Sequence, residues 1–313
     1  MKYPWSKRVA SSAYMLAAVA MLNATMAAPA YAAESTATHA PSTMANVAVG
    51  PQYDTTHIYL AGADFDAFVA SFIATFGGAA SHRAVFTVTP TPSKTASQYV
   101  QTPVGMVSVF AFETPVPMPF GHERVGYLVS DMAQAVRAAR AAGADVIVDT
   151  FDDPIGKDAV VQWPGGWTMQ LYWHTKAPSY APLEYLPDSR VYVSAQSADT
   201  FVRSFRTFSH GHVTLDDRHA DGAMIGRPGQ PFRLIRLEST FGKMAVFVTD
   251  GKLPYPYGVE STGYAVSNLD ASLAKARAAG VSVLTPIYAD KTQRSVMVQF
   301  PGGYIAEMHD VVQ

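Results

Sequence analysis

The sequence predicts an α+β fold made of four strand–helix–strand–strand–strand modules, and three observations support this prediction. The segment FGHERVGYLVSD at residues 120–131 returns without a gap, 137 residues later, as YGVESTGYAVSN at residues 257–268. At the same offset ARAAGADV returns as ARAAGVSV, and VQWPGG returns as VQFPGG. Upstream of these units, the segments that open at His57 and Arg190 also resemble each other. A repeat of this regularity indicates duplicated folding units.

The N-terminal residues predict a signal peptide that is not part of the fold. In residues 1–32 a positively charged start precedes an apolar run, and the small-residue pattern AYA predicts cleavage after Ala32. An uncleaved anchor is the alternative interpretation. Residues 33–52 are rich in Ala, Ser, Thr and Pro and predict a flexible leader. We therefore expect a periplasmic or secreted protein with no stable membrane insertion after cleavage.

The composition excludes several classes of function. The 313 residues contain no cysteine, which removes disulfides, thiolate metal sites and cysteine nucleophiles. The formal net charge is −2 and no basic run follows the predicted signal, so nucleic acid is not expected as a partner. Hydrophobic residues make up 49% of the chain, which is enough for two cores.

Each repeated unit begins with a strand and continues into an amphipathic helix. Ser130 and Ser267 follow the strand and are the predicted N-caps of the two helices. Gly143 and Gly280 follow the helical pattern, where glycine readily adopts the left-handed conformation that ends a helix. In the first unit ADVIVDTF, AVVQW and WTMQLYWH are the three predicted strands that come next.

The four modules are predicted to pair into two domains. The modules that open at His57 and Arg190 supply the first half of each domain. Domain 1 is expected at residues 53–176 and domain 2 at residues 189–313, with a proline-stiffened linker at residues 177–188. The sequence leaves open whether the modules pair in sequence order or exchange between the domains, and it leaves the oligomeric state open.

Four such modules resemble the vicinal oxygen chelate superfamily. The features that carry the resemblance are a histidine on the first strand, an SDM-type helix start and a PGG turn before the last strand of a module. The superfamily includes glyoxalase I, fosfomycin and bleomycin resistance proteins, and extradiol dioxygenases. The resemblance covers nearly all of the chain after the predicted signal peptide. It implies that each pair of modules curls into an incomplete β-barrel around a cup that commonly holds a divalent metal ion.

The resemblance places several of the family's metal-ligand positions on residues that do not bind metals. Valine has no donor atom, and arginine carries a permanent positive charge. We therefore favour no cofactor, with a divalent metal held by His57, Gln170 and Glu307 as the alternative. An ion pair between Arg190 and Glu307 and a hydrogen bond between His57 and Gln170 are expected in place of the ion. The implied positions are His57, Val109, Arg124 and Gln170 in domain 1, and Arg190, Val246, Ser261 and Glu307 in domain 2.

The alternation of side chains along the strands predicts which residues face each cup. One face of WTMQLYWH is polar and aromatic, whereas the other is apolar and should pack beneath the helices. A polar network that binds no ligand is the alternative interpretation of the polar face. The candidate ligand-binding residues are His57, Tyr59, Arg124, Gln170, Tyr172 and His174 in domain 1, and Arg190, Tyr192, Glu307 and His309 in domain 2.

These observations favour an exported protein of the glyoxalase and bleomycin-resistance kind that binds a small anionic or aromatic organic molecule and has a degenerate metal site. A metal-dependent lyase or dioxygenase of the same superfamily is one alternative, and a non-catalytic interaction scaffold is another. The sequence does not decide whether the protein is an enzyme, and it identifies neither catalytic residues nor a substrate.

Overall fold

The chain folds into two open nine-stranded sheets, each made of two consecutive modules. The computed structural model describes residues 46–48, 52–116, 122–176 and 178–312. In each sheet the first strands of the two modules pair antiparallel at the centre, and the two end strands do not pair with each other. The predicted fold class of four βαβββ modules in two incomplete barrels is confirmed, and the modules pair in sequence order.

The first sheet has the strand order β2-β4-β5-β1-β6-β9-β8-β7, with β3 paired to β4. We call this sheet with its helices the first half. Its elements are β1 (Thr56–Tyr59), α1 (Phe65–Phe76), β2 (Ala79–Ala80), β3 (Ala84–Phe86), β4 (Thr95–Thr102), β5 (Gly105–Phe112), β6 (Glu123–Leu128), α2 (Met132–Ala141), β7 (Asp145–Asp153), β8 (Gly156–Gln162) and β9 (Thr168–His174).

The second sheet repeats this arrangement in the order β11-β12-β13-β10-β14-β18-β17-β15, with β16 paired to β17. We call it, with its helices, the second half. Its elements are β10 (Asp188–Ser194), α3 (Ala198–Ser209), β11 (His212–Ala220), a 3₁₀ helix (Gly222–Ile225), β12 (Phe232–Ser239), β13 (Gly242–Thr249), β14 (Ser261–Ala265), α4 (Leu269–Ala278), β15 (Ser282–Val283), β16 (Tyr288–Ala289), β17 (Gln293–Gln299), a 3₁₀ helix (Pro301–Gly303) and β18 (Ile305–Val311).

The N-caps of α2 and α4 lie one residue after the predicted ones. Ser130 and Ser267 were the expected caps, but Asp131 and Asn268 occupy the cap positions. Each accepts a hydrogen bond from the amide three residues on, at 2.6 Å for Asp131 and 2.8 Å for Asn268. The amide of Ser130 donates to the carbonyl of Val47 at 2.9 Å, so this residue still belongs to the extended chain. The last extended residue before a helix is the one whose side chain can reach the free amides.

The ends of the same helices agree with the prediction. Gly143 and Gly280 follow them with φ angles of 95° and 83°. A side chain in this region of φ would be strained, so glycine ends both helices at no steric cost.

The helices belong to buried clusters that contain residues of both halves. α1 contacts α4, and the rings of Phe72 and Tyr264 lie 5.5 Å apart there. On the other side Trp163 lies 5.5 Å from Phe205 of α3, a residue that Trp167 also contacts at 5.6 Å. The apolar strand faces are thus buried under helices, as predicted, and the hollow faces of the sheets form the cups.

The predicted signal peptide and most of the predicted leader lie outside the described residues, and the domain boundaries stay predictions. In the described part of the chain no helix has both the length and the apolar character needed to cross a membrane.

Candidate functional site

The cup of the first half encloses a cavity of about 400 Å³. Its wall is formed by the inner faces of the strands, and Pro178, Ser179 and Tyr180 from the segment after β9 also line it. A volume of this size is typical of sites for small molecules. All six candidates predicted for domain 1 line the cavity, namely His57, Tyr59, Arg124, Gln170, Tyr172 and His174.

A chain of polar contacts crosses the base of this cavity. The Nδ1 atom of His57 lies 3.3 Å from Oε1 of Gln170, which is the hydrogen bond that we expected. The Nε2 atom of His57 lies 3.3 Å from Oδ2 of Asp54, and the Ser108 hydroxyl donates to the same oxygen at 2.5 Å. Gln170 also hydrogen-bonds Asp158. These buried polar groups therefore hold each other in fixed positions.

Gly126 makes room for the His57 ring. A Cβ atom at this position of β6 would lie 2.9 Å from Cε1 of His57. That distance is too short for a carbon–carbon contact, so any larger residue would push the ring out of its place beside Gln170.

The two buried carboxyl groups at the base differ in charge. Burial opposes ionisation of Asp54, but the hydrogen bonds from His57 and Ser108 bring its pKa below the ordinary value. Burial raises the pKa of Asp158 well above the ordinary value, and the charges of Asp153 and Asp54 raise it further. The base therefore offers a carboxylate on one side and a carboxyl group that tends to keep its proton on the other.

An aromatic wall stands above the polar base. The Tyr59 ring is stacked with Phe110 at 5.8 Å and with Phe112 at 5.7 Å between ring centroids. Burial raises the pKa of Tyr59 to about 12, so its phenol is neutral at physiological pH. Stacked rings of this kind present a flat apolar surface to a ring-bearing ligand.

In the second half the corresponding interior holds a buried ion pair. Arg190 donates from Nη1 to Oε2 of Glu307, and both side chains are almost fully buried. The guanidinium carbon of Arg190 lies 4.4 Å from the centroid of the Phe247 ring, and His309 Nδ1 lies 3.2 Å from Oε1 of Glu307. Burial opposes ionisation of Glu307, but Arg190 and His309 bring its pKa below the ordinary value. The expected Arg190–Glu307 ion pair is present.

Apolar side chains fill the second cup beside the ion pair. Met224 and Ile225 from the 3₁₀ helix belong to one buried cluster with Leu234 and Phe247. Tyr192 packs against this cluster, with its ring 5.0 Å from that of Phe247. Among the described residues, Arg190 borders a void of about 10 Å³ and Glu307 a smaller one.

One of the four candidates of domain 2 borders a larger space. His309 lies in a more open cleft of about 580 Å³ with Asp188 and Arg236. The structure thus brings the domain 1 candidates together around one cavity but divides those of domain 2 between a packed interior and an open cleft.

The donor atoms at the metal positions that the resemblance implies do not fit a metal ion. Both ring nitrogens of His57 already face partners, and Arg190 pairs with Glu307. His57 and Gln170 lie in the first cup and Glu307 in the second, so the alternative ligand set does not converge. Within residues 46–48, 52–116, 122–176 and 178–312 no group of three or more histidine and acidic side chains is arranged to hold a metal ion.

Sequence reasoning missed several residues of the first cavity. Ser108 lies opposite His57 in the β1–β5 pairing, and Asp158 lies opposite Tyr172 in the β8–β9 pairing. Directly opposite residues share a face of the sheet, so extending the strand alternation to β5 and β8 could have found both. Asp54 precedes β1, so the strand alternation did not indicate it.

Comparisons with solved structures show the same tandem fold. A variant of 4-hydroxymandelate synthase from Streptomyces coelicolor superposes with a TM-score of 0.57 at 13% identity, covering 83% of this chain and 93% of that chain. The 2,3-dioxygenase LapB from a Pseudomonas species gives a TM-score of 0.54 at 12% identity, covering 85% and 93%. The 2,2',3-trihydroxybiphenyl 1,2-dioxygenase from Sphingomonas wittichii gives 0.52 at 13% identity, covering 83% and 91%. No family model and no curated protein sequence matches the chain.

Proposed function

We propose that this chain, which has the tandem fold of the vicinal oxygen chelate superfamily, binds a small ring-bearing organic molecule in the cavity of its first half. The observation that carries the proposal is the cavity of about 400 Å³ with an aromatic wall over a polar base. We further propose that the protein is exported by its N-terminal signal and needs no metal ion for this binding.

The stacked rings and the polar base supply different parts of the recognition. A ligand ring has an apolar surface to lie against at Tyr59, Phe110 and Phe112. The Asp54 carboxylate accepts hydrogen bonds from the ligand, whereas Asp158 can donate one while it keeps its proton. Such convergent polar groups fix the orientation of a molecule in a mostly apolar site.

Matching positions in the two halves support the choice of the first cup. Ser97 lies opposite Phe110 in the first half, as Leu234 lies opposite Phe247 in the second. The serine borders the cavity, whereas the leucine belongs to the apolar cluster that fills the second cup. The half with the filled cup therefore has the larger, apolar residue at the position of Ser97.

The substitution Ser97→Leu tests the proposal because it adds the bulk that the second half has at this place. The purified protein is first screened with aromatic acids, amines and neutral aromatics for ligands that raise the melting temperature. We expect Ser97→Leu to abolish that stabilisation and Ser97→Ala to retain it. A ligand that stabilises Ser97→Leu as strongly as the unchanged protein contradicts binding in this cavity, and a screen without any ligand favours an interaction scaffold.

A metal-dependent dioxygenase or lyase is the second candidate, since two of the similar structures are named as dioxygenases. Metal analysis of the purified protein separates the two proposals. We expect less than about 0.1 metal ion per chain after incubation with Fe²⁺, Mn²⁺ or Zn²⁺ and desalting, because the available donors do not converge. Stoichiometric metal that is lost on His57→Ala would favour the enzyme.

A further inference from the structure

One part of the first cavity is lined by aromatic rings from three segments of the chain, and we call it the mouth because Tyr99, His174 and Tyr180 are partly exposed there. The Tyr172 ring lies 5.3 Å from the His174 ring on β9, and the Tyr99 ring on β4 lies 5.3 Å from the Tyr180 ring. All four residues border the cavity. Their faces carry the negative part of the aromatic quadrupole, which attracts cations.

Carboxyl groups add negative charge near these rings, one from the base of the cavity and one from the end of β7. Asp54 and Asp153 both border the cavity. Burial raises the pKa of the Tyr99 and Tyr180 phenols, and the nearby charges of these two aspartates act in the same direction. Rings and carboxylates therefore present the same sign of charge to the mouth.

Basic side chains also border the cavity, among them His174, Lys176 and Arg124. Burial lowers the pKa of His174 despite the nearby aspartates, so its ring is uncharged at pH 7. Lys176 is exposed to solvent, where its charge is screened. Arg124 lies opposite His57 in the β1–β6 pairing, and its charge opposes the rise in the pKa of Tyr59 at the aromatic wall.

Two buried polar atoms at the mouth also point to a ligand. Among the residues that the structure describes, the Tyr180 hydroxyl and Nδ1 of His174 have no hydrogen-bond partner. A buried polar atom without a partner destabilises the protein unless a ligand or water satisfies it.

We propose that the mouth of the first cavity binds the ammonium group of an organic cation, whose ring extends to the wall at Tyr59. The rings of Tyr99, Tyr172 and Tyr180 contact the cation through their faces, and Asp153 supplies the counter-charge. This inference rests on the proposed function and specifies the class of its ligand. It differs from the anionic ligand that the sequence suggested.

Three probes with the same ring and different head groups test the inference. They are (2-phenylethyl)trimethylammonium, 3-phenylpropanamide and 3-phenylpropanoate, titrated into the full protein by calorimetry. We expect the ammonium probe to bind about tenfold more tightly than the amide, and the carboxylate to bind most weakly. Tighter binding of the carboxylate, or equal binding of all three, overturns the ammonium site but leaves the proposed function standing. If none of the three binds, both the inference and the proposed function for ligands of this class fail.

Substitutions at the mouth provide the second arm. Tyr180→Leu removes a ring face and should weaken binding of the ammonium probe about fivefold, with the amide affinity nearly unchanged, whereas Tyr180→Phe keeps the ring and should restore most of the affinity. Asp153→Asn should weaken only the ammonium probe. Tyr255→Leu is the matched control, because Tyr255 is 67% exposed and lies in the second half. Equal loss for the amide and the ammonium probe in Tyr180→Leu contradicts the inference.

Discussion

The buried Arg190–Glu307 ion pair is held inside the second half, so each partner depends on the other for its charge. Glu307→Gln leaves the guanidinium buried without a counter-charge, and we expect it to lower the free energy of unfolding by about 3–5 kcal/mol. Urea denaturation at pH 7 measures this loss. The double variant Arg190→Met with Glu307→Leu should recover most of it, because apolar residues of similar volume need no counter-charge.

The matched control is an exposed ion pair of the same kind. Arg83 and Asp66 lie 3.1 Å apart, but the Asp66 side chain is 85% exposed. Asp66→Asn should therefore change the free energy of unfolding by less than about 1 kcal/mol. If Glu307→Gln is as mild as this control, the pair is not held in a desolvated interior.

The same ion pair predicts a dependence of stability on acid. The pKa of Glu307 in the folded protein lies below its ordinary value of 4.5, so the contribution of the carboxylate is present above that pH. It is lost as the pH falls through the lowered pKa, because the unfolded chain then takes up a proton first. We expect the unchanged protein to lose more stability between pH 5 and pH 3 than the Glu307→Gln variant. Parallel slopes for the two proteins would contradict this linkage.

At the scale of the elements, the start of α2 depends on a single side chain. The Asp131 carboxylate accepts the amide hydrogen of Gln134 at 2.6 Å. Asp131→Ala should lower the free energy of unfolding by about 1 kcal/mol, whereas Ser130→Ala should change it by less than about 0.5 kcal/mol. Thermal and urea unfolding measure both changes in stability. A larger loss of stability for Ser130→Ala would indicate that Ser130 is the N-cap, as the sequence predicted.

The strands and helices also show which structural features the sequence could predict. The repeats predicted the modules. The alternation of side chains along β9 placed Gln170, Tyr172 and His174 on the cavity face. They could not predict that Asp54 turns inward, because its burial depends on the contacts of His57 and Ser108 from other strands. Local patterns specify which face a side chain takes, whereas tertiary packing decides what meets it there.

Tertiary packing also explains why the first cup is open and the second is filled. The pattern on β10 and β18 predicted a polar face in the second half, and that face exists around Arg190 and Glu307. The 3₁₀ helix that carries Met224 and Ile225 into the cup lies outside the repeated segments. Its packing could therefore not be inferred from the comparison of the two units.

At the scale of the whole molecule, a hydrogen-bond network joins the two halves. Thr56 and Thr262 contact each other through their hydroxyl oxygens at 3.2 Å, and Thr262 donates to Oε1 of Glu123 at 3.2 Å. On the same side the hydroxyls of Tyr264 and Tyr304 lie 3.0 Å apart, and Tyr304 hydrogen-bonds Glu123. This carboxyl group of the first half is thus held by side chains of the second half.

The charge of Glu123 makes the junction of the halves sensitive to alkali. Its pKa is raised to about 8, mainly by burial and to a smaller extent by the nearby Glu260 carboxyl. The pKa of Glu123 in the folded protein lies above its ordinary value of 4.5. The stability that protonated Glu123 contributes is therefore complete below pH 4.5 and is lost as the pH rises through 8. We expect Glu123 to contribute a fall of about 2 kcal/mol in the free energy of unfolding between pH 6 and pH 9, and Glu123→Gln to remove that part. Glu260, whose pKa burial raises to about 7, contributes a further part of the fall. The exposed Glu113→Gln control should keep it. If Glu123→Gln loses stability over this range as the unchanged protein does, Glu123 is not protonated in the folded state at pH 6, and the network does not couple the halves to pH.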